Sequence, residues 1–278
     1  MLSYRHGFHA GNHADVFKHS VLLFVLDYLC QKDKPLCYID THAGGGVYSL
    51  RDAYAEKNAE YKNGVEKIIN ASPRSLLLKN YRSAINNIHK KTDMFAYPGS
   101  PMLAANILRP YDRLQLCELH TSDFENLQKW AHGDKRILCK KIDGFEALKS
   151  YLPPREKRTL VLIDPSYEIK QDYQQVLDSL KEIHQRFSAA TVILWYPLLP
   201  KAEMQKMERK LNKWPDGNWM NAQYALSARA NPGMVGSGLF ILNPPWTLED
   251  ALHEMLEEML NLLALDDKAN FKILSSST

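Results

Sequence analysis

The sequence predicts an α/β fold built on a mostly parallel sheet. Short, almost continuous apolar runs alternate with amphipathic helical stretches, as in sheets whose strands are buried on both faces. An acid closes three of these runs in succession, at Asp40, Glu118 and Asp143. Because ligands of open α/β sheets bind just outside the carboxyl ends of the strands, these acids indicate a ligand site.

Composition narrows the class of protein. The chain has 278 residues with a net charge of +3, enough for one large domain that carries an insertion. A basic nucleic-acid surface would therefore have to be local. The four cysteines show no CxxC spacing, and three of them lie in apolar runs that predict buried thiols, as in a reducing cytosol. We expect a cytoplasmic protein without membrane contact, because the N-terminus lacks a secretory pattern and no apolar run could span a bilayer.

The apolar run at residues 160–163 ends in Asp164-Pro165-Ser166-Tyr167. A carboxylate and the Pro165 carbonyl can together accept both N–H bonds of an aromatic amine. The proline stiffens the loop and removes a competing donor, and the tyrosine could stack on an extruded base. The alternative is a strand that ends in a proline turn with a capping aspartate. The tetrapeptide resembles the [Asp/Asn/Ser]-Pro-Pro-[Tyr/Phe/Trp] motif of methyltransferases that act on exocyclic amines.

A second match to that motif, Asn243-Pro244-Pro245-Trp246, ranks behind the first because it follows the last predicted strand. In this fold class the catalytic loop follows the fourth strand, beside the strands that bind the cofactor.

A glycine cluster follows the strand that ends at Asp40. Gly44-Gly45-Gly46 does not satisfy the GxGxxG spacing, but Asp40 with Gly44 and Gly46 resembles motif I of the class I S-adenosylmethionine-dependent methyltransferases.

Further along the chain, three positions could contact such a cofactor. Ser100 presents a hydroxyl at a helix start, Glu118 suits ribose hydroxyls, and Asp143 suits an adenine amino group. Each acid could instead be a simple turn or helix cap.

The N-terminal segment is rich in histidine, with His6, His9, His13 and His19. We expect no metal site, because no acid or cysteine pattern completes a ligand set and HExxH is absent. Lys18 and His19 could contact a carboxylate or a base edge, or could belong to a solvated face.

Residues 50–93 interrupt the strand–helix alternation and are predicted to form a helical insertion. They carry nine Lys and Arg residues against five acids. Two interpretations stay open, a lobe that contacts RNA phosphates and an ordinary solvated helical face.

The chain resembles the J-type adenine-N6 methyltransferases of bacterial 23S ribosomal RNA over nearly its whole length. The stretches that carry the resemblance are residues 2–6, 8–16, 18–19, 40–44, 97–101, 163–165, 194–197 and 243–246, together with Tyr167.

The resemblance implies one methyltransferase domain over residues 1–278, with the insertion at 50–93. Its fold would be Rossmann-like and class I, with a seven-stranded, mostly parallel sheet. It also implies S-adenosylmethionine as methyl donor without a metal, and one adenine N6 of 23S rRNA, naked or partly assembled, as acceptor. A monomer is expected.

Site residues follow from the same resemblance, position by position. The expected cofactor contacts are Lys18, His19, His42, Gly44, Ser100, Glu118, Asp143 and Gly144. The catalytic positions are Asp164, Pro165 and Tyr167, and the substrate contacts are Tyr4 and Tyr167. Ser166 departs from the second proline that family members usually carry, which makes a less rigid loop.

Other functions remain open at this level. A related methyltransferase could act on adenine in DNA or on a protein amide. A catalytically silent RNA-binding protein would also fit the motifs, and a metal-dependent hydrolase would use His6, His9 and His13.

Overall fold

The computed structural model describes residues 6–227, 234 and 236–276. Tyr4, the expected substrate contact, lies outside the described residues. Among the described helices, none has both the length and the apolar character that a bilayer crossing needs.

The described strands fall into a large sheet and a separate two-stranded hairpin. In chain order they are β1 (Cys37–Asp40), β2 (Val47–Ser49), β3 (Ala96–Pro98), β4 (Arg113–Cys117), β5 (Ile137–Lys140), β6 (Thr159–Ile163), β7 (Thr191–Pro197), β8 (Trp219–Ala225), β9 (Gly236–Leu242) and β10 (Asn270–Ser275).

The first described α-helix precedes β1, and the others lie between strands along the chain. In chain order they are α1 (His13–Cys30), α2 (Ala53–Asn58), α3 (Val65–Asn70), α4 (Leu76–His89), α5 (Ser100–Ile107), α6 (Thr121–Ala131), α7 (Gly144–Tyr151), α8 (Asp172–Phe187), α9 (Ala202–Leu211) and α10 (Leu248–Leu263).

The large sheet has the strand order β10-β8-β9-β7-β6-β1-β4-β5. From β7 to β5 every pairing is parallel, and the three pairings beyond β7 are antiparallel. The parallel half therefore places the carboxyl ends of β1, β4, β5 and β6 along one edge of the sheet.

The fold class is as predicted, and the number of strands differs slightly from the expected seven. The described part of the sheet has eight strands, because Asn270–Ser275 pairs antiparallel with β8 and extends the sheet by one edge strand. This strand is only partly buried, so its sequence carries little of the apolar signal that marks the central strands.

Two hydrophobic clusters cover the two faces of the sheet. In β6 the side chains alternate between them, with Leu160 and Leu162 in one cluster and Val161 and Ile163 in the other. Helices α1, α4, α5 and α10 contribute to the first cluster, and α7, α8 and α9 to the second. The continuous apolar run of β6 is thus explained by burial on both faces.

Helix α1 begins where local sequence predicts it. The side chain of Asn12 accepts hydrogen bonds from the backbone N–H groups of Ala14 and Asp15 at 2.9 and 3.0 Å, which caps the helix. The first turns of the helix are buried, so Asp15 and Lys18 face other polar groups inside the protein.

Residues 50–93 connect β2 to β3 and contain α2, α3 and α4. The hairpin formed by β2 and β3 pairs Val47 with Pro98 and Ser49 with Ala96. The two ends of this segment are therefore held side by side by the paired strands β2 and β3.

Candidate active site

A cleft of about 230 Å³ opens at the carboxyl edge of the parallel strands. Ten of the predicted site residues line it: Lys18, His19, His42, Gly44, Ser100, Glu118, Asp143, Gly144, Asp164 and Pro165. Residues that come from six separate parts of the chain are therefore brought together at one place.

Asp164 follows β6 and lies beside the ammonium group of Lys18. The distance from Lys18 Nζ to Asp164 Oδ2 is 2.5 Å, and the Asp164 side chain is 14% exposed. Burial alone would lower the pKa of Lys18, but the carboxylates of Asp15 and Asp164 raise it above its ordinary value. Lys18, which was expected among the cofactor contacts, is thus ion-paired with the predicted catalytic acid.

Asp15 holds Lys18 from the other side and was not singled out from the sequence. Its carboxylate lies 2.9 Å from Lys18 Nζ and 3.0 Å from His6 Nε2, and it accepts from the Gly11 N–H at 2.9 Å. Burial would raise the pKa of Asp15, but His6 and Lys18 lower it well below its usual range. The signal that could have found it is an acid three residues before a lysine on an otherwise apolar helix.

The glycine turn after β1 is joined to the end of β4. Gly44 N–H donates to Glu118 Oε2 at 2.8 Å, and His120 N–H donates to Glu118 Oε1 at 2.7 Å. Gly44 has φ +62°, a conformation that favours glycine. Burial raises the pKa of Glu118. Each carboxylate oxygen keeps a lone pair for a ligand in the cleft.

Asp40 lies at the end of β1, completely buried beneath the cleft. Its Oδ2 accepts hydrogen bonds from the hydroxyls of Tyr38 and Ser100, both at 2.7 Å. Burial raises the pKa of Asp40 to about 6, although these hydrogen bonds favour the charged form. The Ser100 hydroxyl is therefore oriented by a carboxyl group below it.

Two histidines of the cleft are uncharged at neutral pH. Burial lowers the pKa of His19 to about 3 and that of His42 to about 4. His19 Nδ1 lies 2.9 Å from the Tyr97 hydroxyl, and His42 Nδ1 lies 2.8 Å from the Thr41 hydroxyl. Neither ring places a positive charge beside the carboxylates of the cleft.

Asp143 and Gly144 begin helix α7 at the end of β5. The Asp143 side chain accepts from Phe145 N–H at 2.8 Å and caps the helix. A Cβ atom on Gly144 would lie 1.9 Å from the carbonyl oxygen of Thr41, so only glycine fits between the two loops.

Tyr167 does not line the cleft. Its side chain is 2% exposed, its hydroxyl donates to the Trp195 carbonyl at 2.8 Å, and its ring packs against Tyr173 at 4.9 Å. Tyr167 has φ +54°, so the loop turns sharply and directs the ring inwards. Stacking of this ring on a base stays a prediction, and it requires the ring to leave its present position.

The rival motif lies at the opposite edge of the sheet. Strand β9 runs antiparallel to β7 and pairs Leu242 with Val192 near the start of β7. The amide of Asn243 accordingly donates to the carbonyls of Ser188 and Ala190 at 2.8 Å. This geometry separates Asn243 from the cleft and favours the Asp164 loop.

The histidines proposed for a hydrolase have separate partners. His6 contacts Asp15, His9 contacts Glu60, and His13 contacts Tyr224. Within residues 6–227, 234 and 236–276, no group of three or more His, Cys, Asp or Glu side chains could hold a metal ion.

Comparison with known proteins decides the family. The sequence model described as "Ribosomal RNA large subunit methyltransferase D, RlmJ" matches residues 33–272. The chain belongs to the RlmJ family.

Two RlmJ relatives support the assignment over nearly full length. "Ribosomal RNA large subunit methyltransferase J" of Escherichia coli (strain K12) is 40% identical over 257 residues, which is 92% of each chain. The protein of the same name from Haemophilus influenzae strain Rd is 37% identical over 275 residues, or 98% of each chain.

A solved relative supports the fold. The crystal structure of a Legionella pneumophila (strain Philadelphia 1) protein has a TM-score of 0.88 at 37% identity, and the match covers 97% of this chain and 99% of that one. Membership of the RlmJ family confirms the predicted α/β methyltransferase, with S-adenosylmethionine as its methyl donor.

Proposed function

We propose that this protein transfers a methyl group from S-adenosylmethionine to the exocyclic N6 of one adenine in 23S rRNA. The RlmJ relatives are named for large-subunit ribosomal RNA methylation. The observation that carries the choice of an amine is the position of Asp164 and Pro165 on the same cleft as Gly44 and Glu118. An amine held by the Asp164 loop would face a ligand held by the glycine turn.

The residues of the cleft fit S-adenosylmethionine. Glu118 offers lone pairs to ribose hydroxyls, and Asp143 offers an acceptor for an adenine amino group. Ile142 and Phe145 add apolar surface for the purine. The cleft also suits a cationic ligand, because five acidic side chains line it while burial keeps His19 and His42 uncharged.

Bound S-adenosylmethionine supplies an electrophilic methyl group on a positively charged sulfur. The contribution of the chain itself is positioning of the acceptor. Lys18 occupies Asp164 Oδ2, and no hydrogen bond to Oδ1 is found among the described residues. Asp164 Oδ1 and the Pro165 carbonyl are the two acceptors for the two N–H bonds of the adenine amine. After methyl transfer the nitrogen must lose one proton. Asp164 is the neighbouring carboxylate that accepts this proton or orients the amine during transfer.

Tyr4 and Tyr167 complete the proposed substrate site. Tyr4 is assigned by its match to the N-terminal motif of the family. Tyr167 lies directly behind the Asp164 loop, and its ring either moves onto the base or supports the loop from below. The remaining proposals are action as a monomer, in the cytoplasm, on naked or partly assembled 23S rRNA. They rest on the resemblance of the chain to its family.

Replacement of Asp164 by asparagine tests the assignment. Asp164→Asn keeps the shape of the side chain but replaces one acceptor oxygen by a donor NH₂ group. We expect loss of at least a hundredfold in transfer of tritiated methyl groups to 23S rRNA, with S-adenosylmethionine affinity by calorimetry within about threefold of wild type. Asp178→Asn, at an exposed acid on α8, is the matched control and should retain full activity.

The substrate range of the wild type separates the alternatives. Transfer to duplex DNA but not to rRNA would favour a DNA methyltransferase. Absence of S-adenosylmethionine binding would favour a silent RNA-binding protein. Retained methylation in Asp164→Asn would defeat the catalytic assignment, and mass mapping of the labelled nucleoside tests the N6 position.

A further inference from the structure

The insertion carries exposed cations that form no ion pair within the described part of the chain. Arg51 and Lys57 are exposed, and neither forms an ion pair with any described residue. The acid Glu60 of the same segment is occupied, because it contacts His9 and Asn12 at 3.0 Å. The exposed acids Asp52 and Glu56 lie between Arg51 and Lys57 in the sequence, but no ion pair joins them to either cation among the described residues, so both cations stay available to phosphates.

Aromatic rings lie next to these two cations. The Arg51 guanidinium carbon is 3.2 Å from the centre of the Phe95 ring, and Lys57 Nζ is 5.7 Å from the centre of the Phe8 ring. We call the surface formed by Phe8, Arg51, Lys57 and Phe95 the rim. Cations beside aromatic faces are the combination that single-stranded nucleic acid binds, through its phosphates and its bases.

The rim is connected to the cleft by the β2–β3 hairpin. At one end of the hairpin, Gly99 lines the cleft and its N–H donates to the Gly46 carbonyl at 2.9 Å. At the other end, Leu50 N–H donates to the Phe95 carbonyl at 2.8 Å, next to Arg51. Arg51 is five positions after Gly46 in the sequence, a span of at most about 17 Å.

The N-terminal segment joins the rim to the cleft a second time. His6 lines the cleft, and Phe8 follows two residues later beside Lys57. The insertion is fastened to this segment where Val65 N–H donates to the Gly11 carbonyl at 2.8 Å. Gly64 packs so closely on Gly11 that a Cβ atom would lie 2.2 Å from the Gly11 carbonyl oxygen. The rim is thus held in a defined position beside the cleft.

We propose that the rim binds the RNA strand next to the target adenine, with its phosphates on Arg51 and Lys57. This inference rests on the proposed function, because it supplies the grip on RNA outside the cleft. The small net charge of the protein requires the contact with RNA phosphates to be local, and the rim offers two exposed cations, each beside an aromatic ring. Of the two interpretations of the insertion, an RNA-contacting lobe and a solvated helical face, this inference favours the RNA-contacting lobe.

A charge-removing double variant tests the inference. Binding of a 23S rRNA fragment would be measured by fluorescence anisotropy over a series of salt concentrations. Arg51→Gln with Lys57→Gln should reduce the slope of log K against log salt by about 1.5, because each phosphate contact contributes about 0.7 to 0.9. With equal affinity at 1 M salt, that change weakens binding about 30-fold at 0.1 M. KM for RNA should rise while kcat and the affinity for S-adenosylmethionine stay near wild type.

The matched control removes the same charges elsewhere on the insertion. Arg74 and Lys79 are exposed at the start of α4, where Glu258 of α10 accepts from the Arg74 N–H. Arg74→Gln with Lys79→Gln should leave the slope unchanged. The double variant Arg51→Lys with Lys57→Arg keeps both charges and should keep the salt slope of the wild type.

Two results would overturn the inference. One is an unchanged salt slope in Arg51→Gln with Lys57→Gln, and the other is an equal loss in the control. As an independent measurement, ultraviolet crosslinking of the wild type to RNA should label the peptides of Phe8 or Phe95, and labelling elsewhere alone would contradict the rim. A wild type that neither binds nor methylates rRNA would refute the proposed function instead.

Discussion

The burial of the Asp15–Lys18 ion pair yields a quantitative prediction. Asp15 and Lys18 are three residues apart in the first turns of α1, and their side chains are 2% and 5% exposed. Asp15→Asn removes the charge but nearly preserves the shape. Since it leaves a buried ammonium with Asp164 as its remaining counterion, we expect a loss of about 3 kcal/mol in the free energy of unfolding at pH 7.

Helix α7 provides a matched control. Glu146 and Lys149 form an ion pair with the same spacing, but their side chains are 65% and 52% exposed. Glu146→Gln should cost less than about 1 kcal/mol, because exposed ion pairs contribute little. Urea unfolding followed by tryptophan fluorescence would measure both variants under identical conditions.

Methyl-transfer activity and the pH dependence of stability provide two further measurements on Asp15→Asn. With one anchor of Lys18 removed, methyl transfer should fall about tenfold to a hundredfold while S-adenosylmethionine still binds. Folding lowers the pKa of Asp15 below its ordinary 3.8, so its stabilisation is present above that pH and is lost as the pH falls through the folded value. The stability difference between wild type and Asp15→Asn should therefore shrink in acid. If Asp15→Asn lost no more free energy of unfolding than Glu146→Gln, the reasoning would be refuted.

Three further predictions follow from the geometry beneath and beside the cleft. Folding raises the pKa of Asp40 from 3.8 to about 6, so the wild type should lose up to about 3 kcal/mol relative to Asp40→Asn as the pH rises through that window, measured by urea unfolding from pH 4 to 7. Gly144→Ala should prevent the approach of Thr41 and abolish S-adenosylmethionine binding in calorimetry, and normal affinity would contradict the contact. Tyr167→Phe should cost about 1 to 2 kcal/mol by losing the bond to the Trp195 carbonyl, yet retain methylation because the ring remains.

Much of the candidate site could be predicted because its signals are local. Each of Asp40, Glu118, Asp143 and Asp164 closes or directly follows an apolar run, and the carboxyl ends of parallel strands share one edge of a sheet. The strand pattern by itself therefore predicts that these acids lie close together. The same pattern missed β10, whose half-buried residues give a weak periodic signal.

Local sequence patterns could not predict contacts between distant segments of the chain. Lys18 meets Asp164 across 146 residues of chain, and a lysine within a helix does not indicate which carboxylate it will contact. The opposed position of Asn243 also depends on the antiparallel direction of β9, which the motif itself does not encode.

The amino-acid sequence by itself determined the family, the fold class and the acids at the strand ends, because these depend on residue type and spacing along the chain. Tertiary structure alone decided that Lys18 lies between Asp15 and Asp164, that the Tyr167 ring is buried in the core, and that Lys57 of the insertion lies beside the Phe8 ring. Pairing and burial of charges depend on which surfaces meet when helices and sheet pack, and that is a property of the folded chain as a whole.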